Sequence, residues 1–311
     1  MILNPKQVDC NYNFKELCGC GIGLKLIQGY LNHYKATYDI SCAYQLAAIA
    51  TTADVVPLIG ENRLIVYLGL LSINTNPISS VKKIWSTYPS LISFNSADLV
   101  FKIAPRINAA GRLAHAKIAV EFLLSSDDEE KSVFSDIESL NKDRKSLDED
   151  ITKEALFQLS KTPATRFTNV VYSPNWHKGV IGIVASRIIE DFYKPTIVFS
   201  GDGDLITGSA RSVKEFDIYE ILNQLKHYFT RFGGHKYAAG LTMKREILED
   251  FSKDFEKLVA VNMSKEVRQK KLSIDVDLTL EKLFQNLNKN GVPKLMRIIT
   301  VSYTHLRAHE T

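Results

Sequence analysis

The segment Arg231-Phe232-Gly233-Gly234-His235-Lys236-Tyr237-Ala238-Ala239-Gly240 carries the residue types of a phosphate site. Adjacent glycines, Gly233 and Gly234, let a backbone approach a ligand closely, and His235 follows where it can touch a phosphate oxygen. A Gly-Gly-His triplet also suits an ordinary turn, so its meaning rests on its neighbours. Upstream, Gly208-Ser209-Ala210-Arg211-Ser212 sets a guanidinium among hydroxyls, a set fit for bidentate phosphate contact, although a solvated strand favours the same types. Farther up, Asn175-Trp176-His177-Lys178-Gly179-Val180-Ile181-Gly182-Ile183-Val184-Ala185-Ser186-Arg187 places His177 at the expected start of a helix, where N–H groups attract anions. Arg187 would point along the same groove, while Trp176 reads as core rather than as a stacking platform. Asn108 and Arg112 are four apart and share a face if helical, either to reach a phosphate or to form a local cap and salt bridge.

These residues need elements to hold them. Residues 16 to 126 read as helix-rich, with apolar faces from Leu17, Ile22, Leu24, Leu26, Ile27 and Leu31 and then from Ala43 to Ala50. From 127 to 161, Val133, Ile137, Leu140, Leu147, Ile151 and Ala155 recur at three-to-four spacing without Gly or Pro, which predicts one long connecting helix. Arg144 stands in it where an apolar residue would fit, and so is a candidate to face a cleft. Beyond it the pattern alternates. A strand is predicted near 167–172, a helix over 176–192, strands at 196–199 and 205–211, a helix over 217–228, the Gly-Gly-His loop, a strand at 240–243 and a helix over 246–261. That alternation predicts an α/β domain over residues 162–271.

In this order and spacing the three glycine-bearing segments resemble the DHHA1 domain of the DHH phosphoesterase superfamily, most closely the RecJ-type exonucleases specific for single strands. Thr52-Ala53-Asp54-Val55-Val56-Pro57-Leu58 resembles the fourth motif of the DHH catalytic domain, and Pro105-Arg106-Ile107-Asn108-Ala109-Ala110-Gly111-Arg112-Leu113 matches the Arg-x-Asn-Ala-x-Gly-Arg segment of that group. The resemblance covers roughly residues 2 to 280. It implies a two-domain α/β protein: part of a helix-rich DHH domain over residues 1–126, the connecting helix, and the DHHA1 domain. It also implies two divalent metals, Mn2+ or Mg2+, and an exonuclease that removes nucleotides from the 5′ end of single-stranded DNA in repair and recombination. Metal-activated water attacks one side of the phosphorus in such hydrolysis, and donors surround the non-bridging oxygens. Asp54 and His235 are then the catalytic candidates, Asp54 as a metal ligand. Asn108, Arg112, His177, Arg187, Ser209, Arg211, Gly233 and Gly234 are the candidates for substrate phosphates. A cleft between the two domains would admit one strand and exclude a duplex by geometry.

Of the metal ligands that the resemblance implies, only Asp54 has a counterpart, and a single carboxylate is too few for a two-metal cluster. Without the family, Asp54 reads more readily as the cap of a turn before Pro57, and the motif match reverses that. Asn4-Pro5-Lys6 resembles the stretch that follows the Asp-His-His motif, so the expectation is a fragment that has lost most of its metal site and is inactive by itself. The absent strands of a parallel sheet would leave helix faces uncovered and the first half prone to aggregate. Residues 272–300 resemble the start of a connection to an OB domain. Residues 301–311 fit no family pattern and resemble translated adapter read-through, with His305 and His309 as an accidental pair. The rival readings are a phosphodiesterase for short oligonucleotides or small nucleotides, and a non-catalytic module that binds single strands.

Composition is compatible with these readings and selects none. The 311 residues are 45% hydrophobic, and 39 Lys+Arg against 35 Asp+Glu leave only +4, too mild to indicate nucleic acid. Between 127 and 150 there are ten acidic residues against four basic ones, which leaves the remainder more basic. Cys10, Cys18, Cys20 and Cys42 form no Cys-x-x-Cys pair and read as free, buried thiols of a reducing compartment. The start shows no leader pattern, and no apolar run reaches the ~18 residues of a membrane span. The expectation is a cytoplasmic protein with single-stranded DNA as its partner and no membrane association.

Overall fold

A computed structural model describes residues 2–125, 130–272 and 274. Two compact units emerge, one of residues 1–141 and one beginning at Lys142, and each is described by itself. The first unit is helical: α1 (Gly19–Tyr34), α2 (Ser41–Ala53), α3 (Gly60–Thr75), α4 (Ser79–Ser86), α5 (Ser96–Asp98), α6 (Ala104–Leu113), α7 (Lys117–Leu124) and the first part of α8 (Glu130–Ser160). Its core gathers Ile49, Ile73, Ile84, Leu99, Ile103, Phe122 and Ile137. Between α5 and α6 the helix widens to a π turn over Leu99–Ile103, where the Ala104 N–H reaches back to the Leu99 carbonyl. Pro105 lacks the N–H that a regular turn needs, and the wider turn accommodates the loss.

The second unit is the predicted α/β domain. Its five strands are β1 (Asn169–Ser173), β2 (Thr196–Ser200), β3 (Leu205–Arg211), β4 (Phe229–His235) and β5 (Ala238–Lys244), with helices α9 (Ile181–Asp191), α10 (Ile218–Gln224) and α11 (Leu248–Asn262). The order is β1-β2-β3-β5-β4; β1 and β2 are parallel and the other pairs antiparallel. Ile197, Phe199, Ile206, Ala210, Leu241 and Met243 alternate along the strands. Together they bury one face against Ile218 and Leu222 of α10 and Phe251, Phe255 and Val259 of α11.

The long helix, β2, β3 and both C-terminal helices lie where their periodicity places them. Four expectations are corrected. The helix expected from 176 begins at Ile181, because residues 174–180 form turns tied by the Gly179 N–H to His177 Nδ1 (3.1 Å) and the Val180 N–H to the His177 carbonyl (3.0 Å). Gly233-Gly234-His235 is no loop but the end of strand β4, paired to β5. Leu26 and Ile27 are exposed, as are Tyr30 and Tyr34 beside them on α1, and Leu64, Tyr67 and Leu71 on α3. Of the cysteines, all four are free thiols but only Cys18 is buried; Cys20 and Cys42 lie on outward faces at the starts of α1 and α2. Trp176 is core as expected, its indole N–H bonded to Glu154 of α8 at 2.7 Å. The readings for residues 126–129 and 275–311, the OB connection and tail included, fall outside the described residues.

Candidate functional site

Residues directly opposite in an antiparallel ladder project from the same face. The register therefore sorts the motif residues without ambiguity. Arg211 pairs with Ala238, which pairs with His235; Ser209 pairs with Gly240, which pairs with Gly233; Thr207 pairs with Thr242, which pairs with Arg231. These three rows form a grid on the face opposite α10 and α11. Arg211 and His235 stand at two corners of one row, roughly 10 Å apart by the ordinary strand spacing. Arg231 stands at the far end of β4. Thr207, Gly240, Gly233, Arg231 and His235 are exposed, and Ser209 and Arg211 half-buried. The centre of the grid is thus bare backbone at two glycines, with cations and hydroxyls around it.

A single extra residue makes this arrangement. Phe229 pairs with Met243 on the core face, yet Arg231 pairs with Thr242, so Thr230 is bulged out of the ladder. Without the bulge Arg231, Gly233 and His235 would fall opposite Leu241, Ala239 and the residue before Ala238 in register, on the core face. The Thr230 hydroxyl donates to the Thr242 carbonyl at 3.1 Å and anchors the bulge. Gly234 lies on the opposite face, against Ala239: a Cβ there would come within 2.4 Å of the Ala238 carbonyl oxygen and 2.6 Å of Ala239 Cα. Its glycine therefore serves close strand pairing, whereas Gly233 has open space on the grid side.

The Arg211 guanidinium donates to Ser209 Oγ at 3.1 Å and to its neighbouring carbonyl at 2.9 Å. It also reaches α9, since a Cβ at Gly182 would lie 2.8 Å from Arg211 Nη2 and 3.0 Å from Ser209 Oγ. Gly182 is in the first turn of α9, so an anion at this corner would meet a guanidinium, a hydroxyl and the N–H groups of a helix start together. His235 Nδ1 accepts the Tyr237 N–H at 3.4 Å, so neutral His235 carries its proton on Nε2. His177 uses Nδ1 in the same way toward Gly179, in a turn four residues ahead of α9 rather than at its start.

Arg187 is held elsewhere than along the grid. Its Nη2 lies 2.8 Å from Oδ2 of Asp148, a carboxylate of α8 that is fully buried, and Arg144 approaches the same oxygen at 3.7 Å. Burial pushes the Asp148 carboxyl above the usual range, against the pull of Arg187 and Arg144. Arg144 therefore answers a buried carboxylate of its own helix. Neither Asp148 nor the outward set of Arg231, Thr207 and Thr242 carried a signal in the sequence strong enough to single it out. Strict alternation Arg231–Gly233–His235 was the one available hint.

In the helical unit the motif residues disperse. Asn108 and Arg112 are both exposed on α6, on one face with Gly111. Arg106 turns inward, bonded to the Glu138 carboxylate and donating to Tyr88 Oη at 2.8 Å. Burial works to lower its pKa, but bonds to Glu138 and Tyr88 overcome this and raise it. Asp54 caps the C-terminus of α2, exposed, its N–H bonded to Ala50. Val55 follows at φ 54°, a costly conformation for a β-branched residue, and it starts the turn into Pro57. Among the described residues no three His, Cys, Asp or Glu side chains converge as metal ligands. Asp54 alone does not fit a two-metal centre.

The family model for the DHHA1 domain matches residues 166–261, which span the whole grid. The single-stranded-DNA-specific exonuclease RecJ of Bacillus subtilis is 38% identical over 253 residues, 80% of this chain and 32% of the relative. The Haemophilus influenzae RecJ is 31% identical over 280 residues, 83% of this chain and 48% of the relative. The crystal structure of Thermus thermophilus RecJ in complex with Mn2+ superposes with a TM-score of 0.73 at 30% identity, covering 81% of this chain and 37% of that one. An Mg2+ complex of the same protein superposes equally well, at 29% identity over 81% and 39% of the two chains. Over about 80% of its length the chain is similar to RecJ exonucleases, and its second unit carries the DHHA1 domain. It spans about a third to a half of the length of these curated relatives. The described second unit carries the DHHA1 domain with its sheet, and the helical first unit lies ahead of the matched residues.

Proposed function

We propose that the grid on the DHHA1 sheet holds the sugar–phosphate backbone of single-stranded DNA. The whole protein is then a RecJ-type exonuclease that releases nucleotides from the 5′ end during repair and recombination in the cytoplasm. The observation that carries this reading is the shared face of Arg211, Ser209, Gly240, Gly233, His235 and Arg231, built from segments distant in sequence. Bare glycine backbone lets a polymer lie close, flanking cations neutralise its phosphates, and nothing on the grid is shaped to read a base edge. Arg211 and Ser209 take a backbone phosphate against the first turn of α9, and His235 offers its Nε2 proton to the next. Asn108 and Arg112 are proposed as further phosphate contacts from α6. In the whole protein Asp54 would give one carboxylate to a divalent-metal site, Mn2+ or Mg2+, whose further ligands the described residues do not supply. His177 and Arg187 have weaker claims, because a local turn and Asp148 already engage them.

The test is to incubate the protein with 5′-labelled single strands, duplexes and dinucleotides, with and without Mn2+, and to follow binding and product release separately. Metal-independent binding of single strands over duplexes is the expected result, with any cleavage requiring Mn2+ and starting at the 5′ end. Cleavage of dinucleotides with long strands left intact would replace the exonuclease by a small-nucleotide phosphodiesterase. Binding without cleavage under any metal would leave this chain a single-strand-binding module. Absence of single-strand binding would contradict the proposal.

A further inference from the structure

Strands β4 and β5 join through a two-residue tip, Lys236 and Tyr237. Such tips are ordinarily mobile. This one is pinned by both of its carbonyls. The Ile218 N–H, at the start of α10, donates to the Lys236 carbonyl at 3.1 Å, and the Ser212 N–H donates to the Tyr237 carbonyl at 3.0 Å. The Tyr237 N–H is spent on His235 Nδ1. Tyr237 nevertheless leaves 48% of its surface exposed, so its ring contributes little to the core. Lys236 places Nζ 5.5 Å from the ring centroid. The pair stands at the end of the sheet where the row Arg211–Ala238–His235 terminates, one residue from His235 and one from Ala238.

A rigidly mounted, half-exposed aromatic ring beside a phosphate-binding row has the chemistry of a stacking platform for an unpaired base. We infer that Tyr237, with Lys236 on its ring, stacks the base of the nucleotide whose phosphate occupies the Arg211–His235 row. This inference rests on the proposed function and deepens it. The ligand at this point is single-stranded DNA with an extruded base, of any sequence, because every base offers a π face. Lys236 answers the adjoining phosphate while the ring answers the base. A paired base could not leave its stack without cost, so the platform favours single strands at the level of one nucleotide.

The experiment compares the affinity of the protein for an intact oligodeoxynucleotide and for an abasic strand of equal length, at fixed salt, in four forms: unchanged, Tyr237→Phe, Tyr237→Ala and Arg211→Ala. Tyr237→Ala is expected to weaken binding of the intact strand by roughly tenfold and to leave the abasic strand unaffected. Tyr237→Phe should keep both affinities, since stacking needs the ring and not the hydroxyl. Arg211→Ala should weaken both strands alike. If Tyr237→Ala weakens both strands equally, or neither, the platform is overturned. If Arg211→Ala leaves both strands at full affinity, the phosphate reading fails, while the intact-to-abasic ratio of Tyr237→Ala still decides the stacking role.

Discussion

The two units treat their motif residues in opposite ways. On the DHHA1 sheet, Ser209, Arg211, Gly233 and His235 come from two segments and meet on one face because strand register lines them up. In the helical unit, one short motif is split by its own helix: Arg106 turns inward to Glu138 and Tyr88, while Asn108 and Arg112 face solvent. A helix distributes neighbouring residues around its axis, whereas a sheet collects distant ones into rows. Similar motif residues thus serve packing in one place and line an outward face of cations, hydroxyls and bare backbone in another.

Separating these roles calls for variants with opposite readouts. Arg106→Ala should have the largest effect on folding, about 3 kcal/mol, because it leaves Glu138 without its buried partner. Thermal melting of the helical unit measures this, and single-strand affinity of the DHHA1 sheet should persist. Gly233→Val should do the reverse. Its side chain meets open space, so folding persists, yet it covers the bare centre of the grid, for a loss of about 2 kcal/mol in single-strand binding, or roughly thirtyfold, by titration. Retained affinity would show that the bare backbone does not build the site.

Asp148→Asn should destabilise by roughly 1–2 kcal/mol in denaturant melts, less than for a fully buried pair because Arg187 is half-exposed. Its pH dependence has a defined sign. The folded Asp148 carboxyl lies above its unfolded value, so its contribution to stability is fully present below the unfolded pKa and is lost as pH rises through the folded one. The stability advantage of the unchanged protein over Asp148→Asn should therefore be widest at acid pH and narrow as pH rises. A gap that widens with pH would contradict this assignment. The smallest expected effect is that of Gly182→Ala. The added methyl displaces Arg211 from the first turn of α9, lowering single-strand affinity by roughly fivefold, about 1 kcal/mol, with little change in melting.

Much of this was legible in the residues. The long helix over 130–160, strands β2 and β3 and the placement of Arg211 beside Ser209 follow from period and from turn residues. The face on which His235 lies was not legible. Phe229, Thr230 and Arg231 all suit a strand, and which of them is surplus depends on β5, a partner that only pairing defines. The late start of α9 came from competition: His177 and Gly179 satisfy each other in a turn that the helical periodicity of the following residues does not reveal. Arg187 looked available for a phosphate because the carboxylate that engages it lies almost forty residues upstream, in a helix that reads as solvated.

The central claim is that the face bearing Arg211 and His235 binds phosphates. Its most direct test is the salt dependence of single-strand binding by the unchanged protein and by Arg211→Ala. Removing one cation that neutralises a phosphate should make the slope of log affinity against log salt shallower by about 0.7, alongside weaker binding at low salt. A slope and affinity unchanged by Arg211→Ala would place the phosphates elsewhere on the molecule and contradict the account.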